Sequence, residues 1–279
     1  MAESSNLLPP SGKPRLLSEV RRAIRTRQFS GRTEEAYVGW IRRYVLYHGT
    51  RHPRELGSEA IGAFLEHLAN EHQVSSSTQN QAASALLFLY REVLGQRINL
   101  PADVIRPLKP RRLPIVLTRN EVSAILGELS GAKRTVASLL YGSGLRLLEA
   151  LQLRVKDVDF ERHEVTVRSG KGGHDRITVL PAALASELKR QVTWVRAQYE
   201  SDVKRDGGWV ALPSGLAGKF EAAGKEFSWQ WVFPATRARE DRDTGRRIRH
   251  HLHESAIQRA VTEAVRNAGL ESTLKCNNL

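Results

Sequence analysis

Several features that define other protein classes are scarce in this chain of 279 residues. Cys276 is the only cysteine, which excludes an internal disulfide and a zinc site built from several cysteines. No apolar run approaches the roughly 20 residues that a membrane-spanning helix needs. The N-terminus has neither a basic start nor an apolar stretch, so it is not typical of a secretory signal. We therefore expect a cytoplasmic protein without a membrane partner.

Acidic residues are few relative to basic ones. The chain has 43 Lys and Arg against 30 Asp and Glu, a formal net charge of +13. A protein this basic gains free energy from counterion release whenever it binds a polyanion. The charge favours nucleic acid as partner, although a basic solvated surface or a protein bound to an anionic membrane would have a similar composition.

The first part of the chain has apolar residues at helical spacing. Four amphipathic helices are predicted: one after Pro14, one from near Thr33 to Gly49, one from Ser58, and one from Ser75–Thr78 to Gly95. Helices of this length with short connections form a small bundle. We assign this domain to residues 14–96 and expect residues 1–13 to be disordered.

A basic linker is predicted at residues 97–114, because its four prolines cannot lie in helix interiors. Lys109, Arg111 and Arg112 alternate with these prolines. If two domains hold a duplex from opposite sides, these side chains would lie against its phosphate backbone; a linker surrounded by solvent fits the sequence equally well.

A second domain is assigned to residues 115–279. It opens with a capping box, Thr118 and Glu121, at the start of a helix. The apolar period then changes to two, which predicts three antiparallel strands around Val155–Phe160, Val165–Val167 and Ile177–Val179. A long helix follows Pro181, and a final one spans Glu254 to Ala268. The predicted fold class is mainly α with a small three-stranded antiparallel sheet.

Two segments of this domain suggest chemistry. The two glycines of Tyr141-Gly142-Ser143-Gly144 allow a tight turn, after which Arg146 projects at a helix start, where a phosphate is favoured. Glu149 is placed to orient that arginine; the alternative is an ordinary ion pair on a solvated face. Lys171, in a glycine-flanked hairpin tip, is a candidate phosphate ligand or proton donor, although most turn lysines have no such role.

The order of turn, arginine, short helix, three strands and hairpin lysine resembles the catalytic domain of tyrosine recombinases of the phage integrase family. The helical segment before it resembles their SAM-like core-binding domain. Three stretches are similar to integron integrases in particular: Thr78–Ala82 leading to Leu87–Leu94, the hairpin Gly170–Gly173, and an insert at about 205–253 that contains Phe227–Pro234 and Arg249–Leu252.

The insert is similar to the segment with which integron integrases hold bases flipped out of a folded single-stranded site. The resemblance implies that Trp229, His250, His251 and Arg249 bind DNA, and an aromatic ring suits base stacking. Trp231 and Phe233 have core packing as an equally weighted alternative. His250, His251 and His253 do not suggest a metal site, because no carboxylate or cysteine cluster completes one.

The same resemblance implies two elements that residues 1–279 do not contain. Family members carry a second arginine in a His-x-x-Arg box after the final helix, and then the tyrosine nucleophile. After Gly269 the chain has neither; its only His-x-x-Arg, His48–Arg51, ends a helix of the first domain. We expect a C-terminally truncated integrase that binds DNA without cutting it. The alternatives are a non-catalytic accessory or decoy protein, or a longer protein that continues beyond Leu279.

The implied partners are the folded single-stranded cassette attachment site and the double-stranded integron site. Family members assemble as homo-oligomers on DNA, but we expect this chain to be monomeric or poorly soluble because the tail docks neighbouring subunits. No cofactor is implied, since the phosphotyrosyl bond conserves the energy of the broken strand. A bacterial, cytoplasmic protein is implied.

Overall fold

The chain divides into two units, Met1–Arg112 and Leu113–Leu279. The computed structural model describes residues 16–98, 116–168, 174–242 and 244–270. The predictions for residues 1–13, and for the linker after residue 98, fall outside these ranges. The predicted fold class is confirmed, since the described residues are mainly helical and include one three-stranded antiparallel sheet.

The described residues of the first unit form α-helices, two of which have serine N-caps. They are α1 (Leu16–Thr26), α2 (Gly31–Tyr47), α3 (Ser58–Asn70) and α4 (Ser76–Phe88), followed by a π-helical turn over Leu89–Val93. The Ser30 and Ser75 hydroxyls accept hydrogen bonds from the amides of Thr33 and Thr78. Helix α2 therefore begins at Gly31 rather than near Thr33, because Ser30 is the residue that caps it.

The apolar stripes of these helices meet in one core, which includes Ile41, Phe64 and Leu86. Two tyrosines lie within it. The Tyr90 hydroxyl donates toward the carbonyl oxygens of Pro53 (2.9 Å) and Leu56 (3.2 Å), which leaves Tyr44 to donate to the Tyr90 oxygen at 2.9 Å. Burial raises the pKa of both phenols, so they stay neutral and keep this network intact.

The second unit contains longer and shorter helices, a three-stranded sheet and a two-stranded antiparallel sheet. Its helices are α5 (Arg119–Gly127), α6 (Gly131–Ser143), α7 (Leu147–Leu151), α8 (Ala182–Val203), α9 (Ser214–Ala217) and α10 (Glu254–Asn267). The three-stranded sheet consists of β1 (Val158–Asp159), β2 (Glu164–Val167) and β3 (Arg176–Val179), and the two-stranded sheet of β4 (Arg239–Glu240) and β5 (Arg247–Ile248). The predicted capping box of Thr118 and Glu121 is present. Helix α10 packs its buried side chains against α5 and α6.

The sheet has the order β1-β2-β3 with antiparallel pairing throughout. Val155 was predicted to lie in a strand but forms a 3-10 turn, because the Asp157 carboxylate accepts the Arg154 amide and closes it. The alternation of apolar residues predicted strand β3, but it did not show which face of the strand points inward. Ile177 and Val179 are 63% and 56% exposed.

The polar residues of β3 face the rest of the unit instead. The Thr178 hydroxyl donates to the carbonyl oxygen of Ser143 at 2.8 Å, which ties β3 to the end of α6. Arg176 also lies on this face and hydrogen-bonds a side chain of α7. A strand whose inner face makes polar contacts cannot be oriented from hydrophobicity alone.

Two buried arginines hold the insert to the rest of the second unit. Arg249, 7% exposed, donates to both carboxylate oxygens of Asp202 on α8 (2.6 and 2.7 Å) and to the carbonyl oxygen of Ala235 (2.6 Å). Arg154 donates to the carbonyl oxygens of Trp229 (2.7 Å) and Ala211 (2.8 Å). These contacts fix a segment that has little regular secondary structure of its own.

The hydrogen bonds of Tyr44 and Tyr90 are expected to stabilise the first unit. Tyr90→Phe removes one hydroxyl and takes the hydrogen-bond partner from the Tyr44 hydroxyl and the Leu56 carbonyl, while the Pro53 carbonyl keeps the Leu56 amide as donor. We expect a loss of about 1–3 kcal/mol in the free energy of unfolding by urea. Tyr37→Phe is the matched control, because the half-buried Tyr37 hydroxyl makes no hydrogen bond within the described residues. Equal stability of both variants would contradict this role.

The buried ion pair of the insert gives a second stability prediction. Asp202→Asn leaves the Arg249 charge buried and without a carboxylate. We expect a destabilisation of about 3–5 kcal/mol, measured by urea unfolding with tryptophan fluorescence as the probe. Asp206→Asn, at an exposed position beyond the end of α8, should change the unfolding midpoint little. A similar small change for Asp202→Asn would show that the pair does not hold the insert.

Candidate functional site

The turn between α6 and α7 presents Arg146 at the start of a helix. Gly144 ends α6 with a φ of +63°, a left-handed conformation that favours glycine. Gly142 lies so close to Pro181 that an added Cβ would be 2.7 Å from the proline Cγ. Steric constraints therefore explain why glycine is present at both positions. Arg146 follows as the N-cap residue of α7, and its side chain is 59% exposed.

The carboxylate of Glu149 is the centre of a hydrogen-bond network at this turn. Arg146 donates to it through its backbone amide (2.9 Å) and through Nη1 (2.8 Å). Arg176 donates through Nη1 (2.9 Å) and Nη2 (2.7 Å), so each carboxylate oxygen accepts two hydrogen bonds. The contact expected between Arg146 and Glu149 is present, and the functional roles assigned to them stay predictions.

Electrostatics keeps this carboxylate charged. The hydrogen bond from Arg176, followed by those from Arg146, lowers the pKa of Glu149 to about 2, against the opposing effect of burial. The pKa of Arg176 is raised, mainly by its hydrogen bond to Glu149. The network is therefore an anion held between two cations at any pH near neutrality.

Arg176 was missed by the sequence analysis. It stands 27 residues after Glu149, and nothing in the local pattern links the two. A usable signal existed in the alternation of β3, since Arg176 and Thr178 share one face of the strand. Lys171 lies outside the described residues, as do Lys109, Arg111 and Arg112 of the linker.

Trp229 lies in a stack of alternating cations and aromatic rings. The Lys156 ammonium is 2.8 Å from the centroid of the Trp229 ring, and the Arg154 guanidinium carbon is 5.1 Å from it. That guanidinium also stacks on Trp231 at 3.8 Å. Burial, followed by the charge of Arg168, lowers the pKa of Lys156. The half-buried Trp229 ring thus already carries a cation where a base would stack.

The other residues predicted for the insert have different environments. Trp231 (8% exposed) and Phe233 (1%) are core residues, so the core-packing alternative describes them. His250 is exposed, whereas His251 packs edge-on against Trp231. The environment of Arg249 contradicts the DNA contact that was predicted for it. Its guanidinium is buried and bound to Asp202, so it stabilises the insert rather than reaching a phosphate.

Exposed arginines remain on the surface of the insert. They are Arg237, Arg239, Arg242 and Arg247. Arg246 is less accessible, because it pairs with Glu221 at 2.6 Å and stacks on Trp209. Within the described parts of the chain, no group of three or more His, Cys, Asp or Glu side chains is arranged to hold a metal ion. No described helix is both long and apolar enough to cross a bilayer.

The tyrosines of the second unit have distinct surroundings. Tyr141 on α6 is 46% exposed, and the Tyr199 hydroxyl donates to the carbonyl oxygen of Lys225 at 2.8 Å. His48, from the only His-x-x-Arg of the sequence, hydrogen-bonds the Ala60 carbonyl inside the first unit. That contact gives His48 a structural role in the helical bundle.

Comparison of solved structures shows the same fold in several recombinases. XerH site-specific recombinase, bound to its palindromic difH substrate after cleavage, has a TM-score of 0.56 at 19% identity, covering 94% of this chain and 70% of that one. A lambda integrase tetramer bound to a Holliday junction has a TM-score of 0.56 at 14% identity, covering 92% and 63%. At such identities the likeness shows the fold alone.

Sequence comparison is more specific. Residues 16–100 match the phage integrase N-terminal SAM-like domain, and residues 116–279 match the phage integrase family. Proteins named Integrase/recombinase in Escherichia coli and Pseudomonas aeruginosa are each 45% identical over 263 residues, covering 94% of this chain and 78% of the relative. Tyrosine recombinase XerA of Thermococcus kodakarensis is 34% identical over 164 residues, 57% of this chain and 55% of that protein. This chain therefore belongs to the phage integrase family of tyrosine recombinases.

Proposed function

We propose that this chain binds integron recombination sites: the folded single-stranded cassette attachment site and the double-stranded integron site. The observation that carries the proposal is the exposed guanidinium of Arg146, held at the start of α7 by the buried carboxylate of Glu149. An exposed arginine whose orientation is fixed is suited to a phosphodiester, because its fork of donors matches the phosphate oxygens.

The remaining predicted residues take the following roles in this proposal. Arg146 and Lys171 bind the phosphate at the exchange site, and Glu149 orients Arg146. Lys109, Arg111 and Arg112 lie along the phosphate backbone. Trp229, His250 and His251 hold bases of the folded single strand. The exposure of His250 and the exposed arginines around the insert support this assignment.

Base stacking on Trp229 has a consequence for Lys156. Its ammonium covers the ring, so a stacked base requires Lys156 to leave that position. No carboxylate forms an ion pair with Lys156 among the described residues, and its side chain is exposed enough to move. We propose that the displaced ammonium binds the phosphate next to the stacked base, which partly offsets the lost cation–π contact.

We further propose that residues 1–279, tested in isolation, bind DNA without forming the covalent phosphotyrosyl bond. Residues 269–279 contain neither a His-x-x-Arg box nor a tyrosine. Groups that act together on one transition state lose their effect together when several are missing.

The stacking role of Trp229 predicts a loss of affinity on substitution. Trp229→Ala should weaken binding to a folded single-stranded attachment site by roughly 1–3 kcal/mol, measured by gel shift at fixed salt. Trp194→Ala is the matched control, because Trp194 on α8 is 52% exposed and should leave the affinity unchanged. Equal affinities for wild type and Trp229→Ala would remove Trp229 from the proposed base contacts.

The absence of cleavage is tested by a denaturing gel. After incubation with a labelled attachment site, the wild-type chain should give a salt-sensitive native shift and no denaturant-stable adduct. Addition of an intact integron integrase should then show the chain competing for the same site. A covalent adduct would show that a tyrosine of this chain attacks phosphate. In that case Tyr141→Phe and Tyr199→Phe test the two tyrosines of the second unit as the attacking residue.

A further inference from the structure

We propose that Arg176 is a positioning residue that neutralises Glu149 and thereby leaves the charge of Arg146 available to a DNA phosphate. The inference rests on the proposed DNA binding and concerns the same turn. Arg176 binds the Glu149 carboxylate through both terminal nitrogens, at 2.9 and 2.7 Å. Nothing in the local sequence assigns a role to this residue.

The charges of the network show why a second cation matters. Arg146 and Glu149 alone form a neutral pair, and a neutral pair attracts a phosphate weakly. With Arg176 added, the three side chains carry a net charge of one positive unit. The side chain of Arg146 is 59% exposed, against 37% for Arg176 and 10% for Glu149, so more of the surplus charge is presented to solvent on Arg146 than on Arg176.

The donors of Arg146 point to the same conclusion. Its Nη1 and its backbone amide are used by Glu149. Its Nε and Nη2 have no acceptor within the described residues, so two nitrogens are available for a phosphate. Arg176, by contrast, uses both terminal nitrogens on the carboxylate. Arg146 is therefore available to DNA, while Arg176 is bound to the Glu149 carboxylate.

The strand that carries Arg176 is itself fixed to the turn. Thr178 donates to the Ser143 carbonyl, three residues before Arg146, so β3 meets the turn at two points. The low pKa of Glu149, about 2, means that its negative charge is present throughout the pH range of DNA binding. An uncompensated Glu149 would therefore oppose a phosphate at every such pH.

The test uses charge rescue in the full chain. Wild type and the variants R146Q, R176Q, E149Q and R176Q/E149Q are titrated with a labelled folded single-stranded DNA hairpin between about 50 and 200 mM salt. R176Q should weaken binding on the order of tenfold and lower the salt slope by about 0.7, as R146Q does. R176Q/E149Q should bind several-fold more tightly than R176Q, because removing the acid again leaves Arg146 uncompensated while the new amide oxygen at position 149 can still accept from Arg146.

Each outcome decides the proposal. Failure of R176Q/E149Q to recover affinity would overturn it, since Arg176 would then contact DNA itself or act only in folding. An unchanged R176Q would overturn it as well. If R176Q does not fold by circular dichroism, R176K replaces it. The retained charge should keep the affinity of R176K clearly above that of R146Q, although a lysine cannot reproduce the bidentate contact with Glu149. Folded R176K that binds as weakly as R146Q would overturn the proposal. If wild type itself binds no DNA, the proposed function fails first.

Discussion

The second unit depends on one carboxylate. Glu149 accepts four hydrogen bonds, and these join the turn after α6, the start of α7 and the first residue of β3. A buried acid is tolerated because all its acceptor positions are filled by charged or backbone donors. The sheet and the exposed Arg146 are therefore positioned by the same group. Loss of the whole Glu149 side chain would disturb both the fold and the placement of Arg146.

The arginines of this basic chain divide into two kinds. Arg154 and Arg249 are buried, and their donors bind backbone carbonyls and an aspartate, so they hold the insert in place. Arg146 and the exposed arginines of the insert keep donors directed at solvent. Net charge alone does not separate these kinds, because a buried arginine contributes to composition but not to a DNA-binding surface.

The sequence predicts the features that neighbouring residues determine. Helix starts at Ser58 and Ser75 and the capping box at Thr118 follow from neighbouring residues, and so does the existence of three strands. It did not predict what depends on distant partners. Arg249 was assigned to DNA, yet it pairs with Asp202, 47 residues away. The same holds for Arg176, and for β3, whose position was predicted but whose exposed apolar face was not.

The most direct test of this account is a crystal structure of the chain bound to a folded single-stranded attachment site. We expect a phosphate oxygen within hydrogen-bond distance of Arg146, with both terminal nitrogens of Arg176 still on Glu149. Displacement of Lys156 from the Trp229 ring by a base would support the proposed role of the insert. The account would be contradicted if Arg176 leaves Glu149 to bind the phosphate, or if Arg146 makes no contact with DNA.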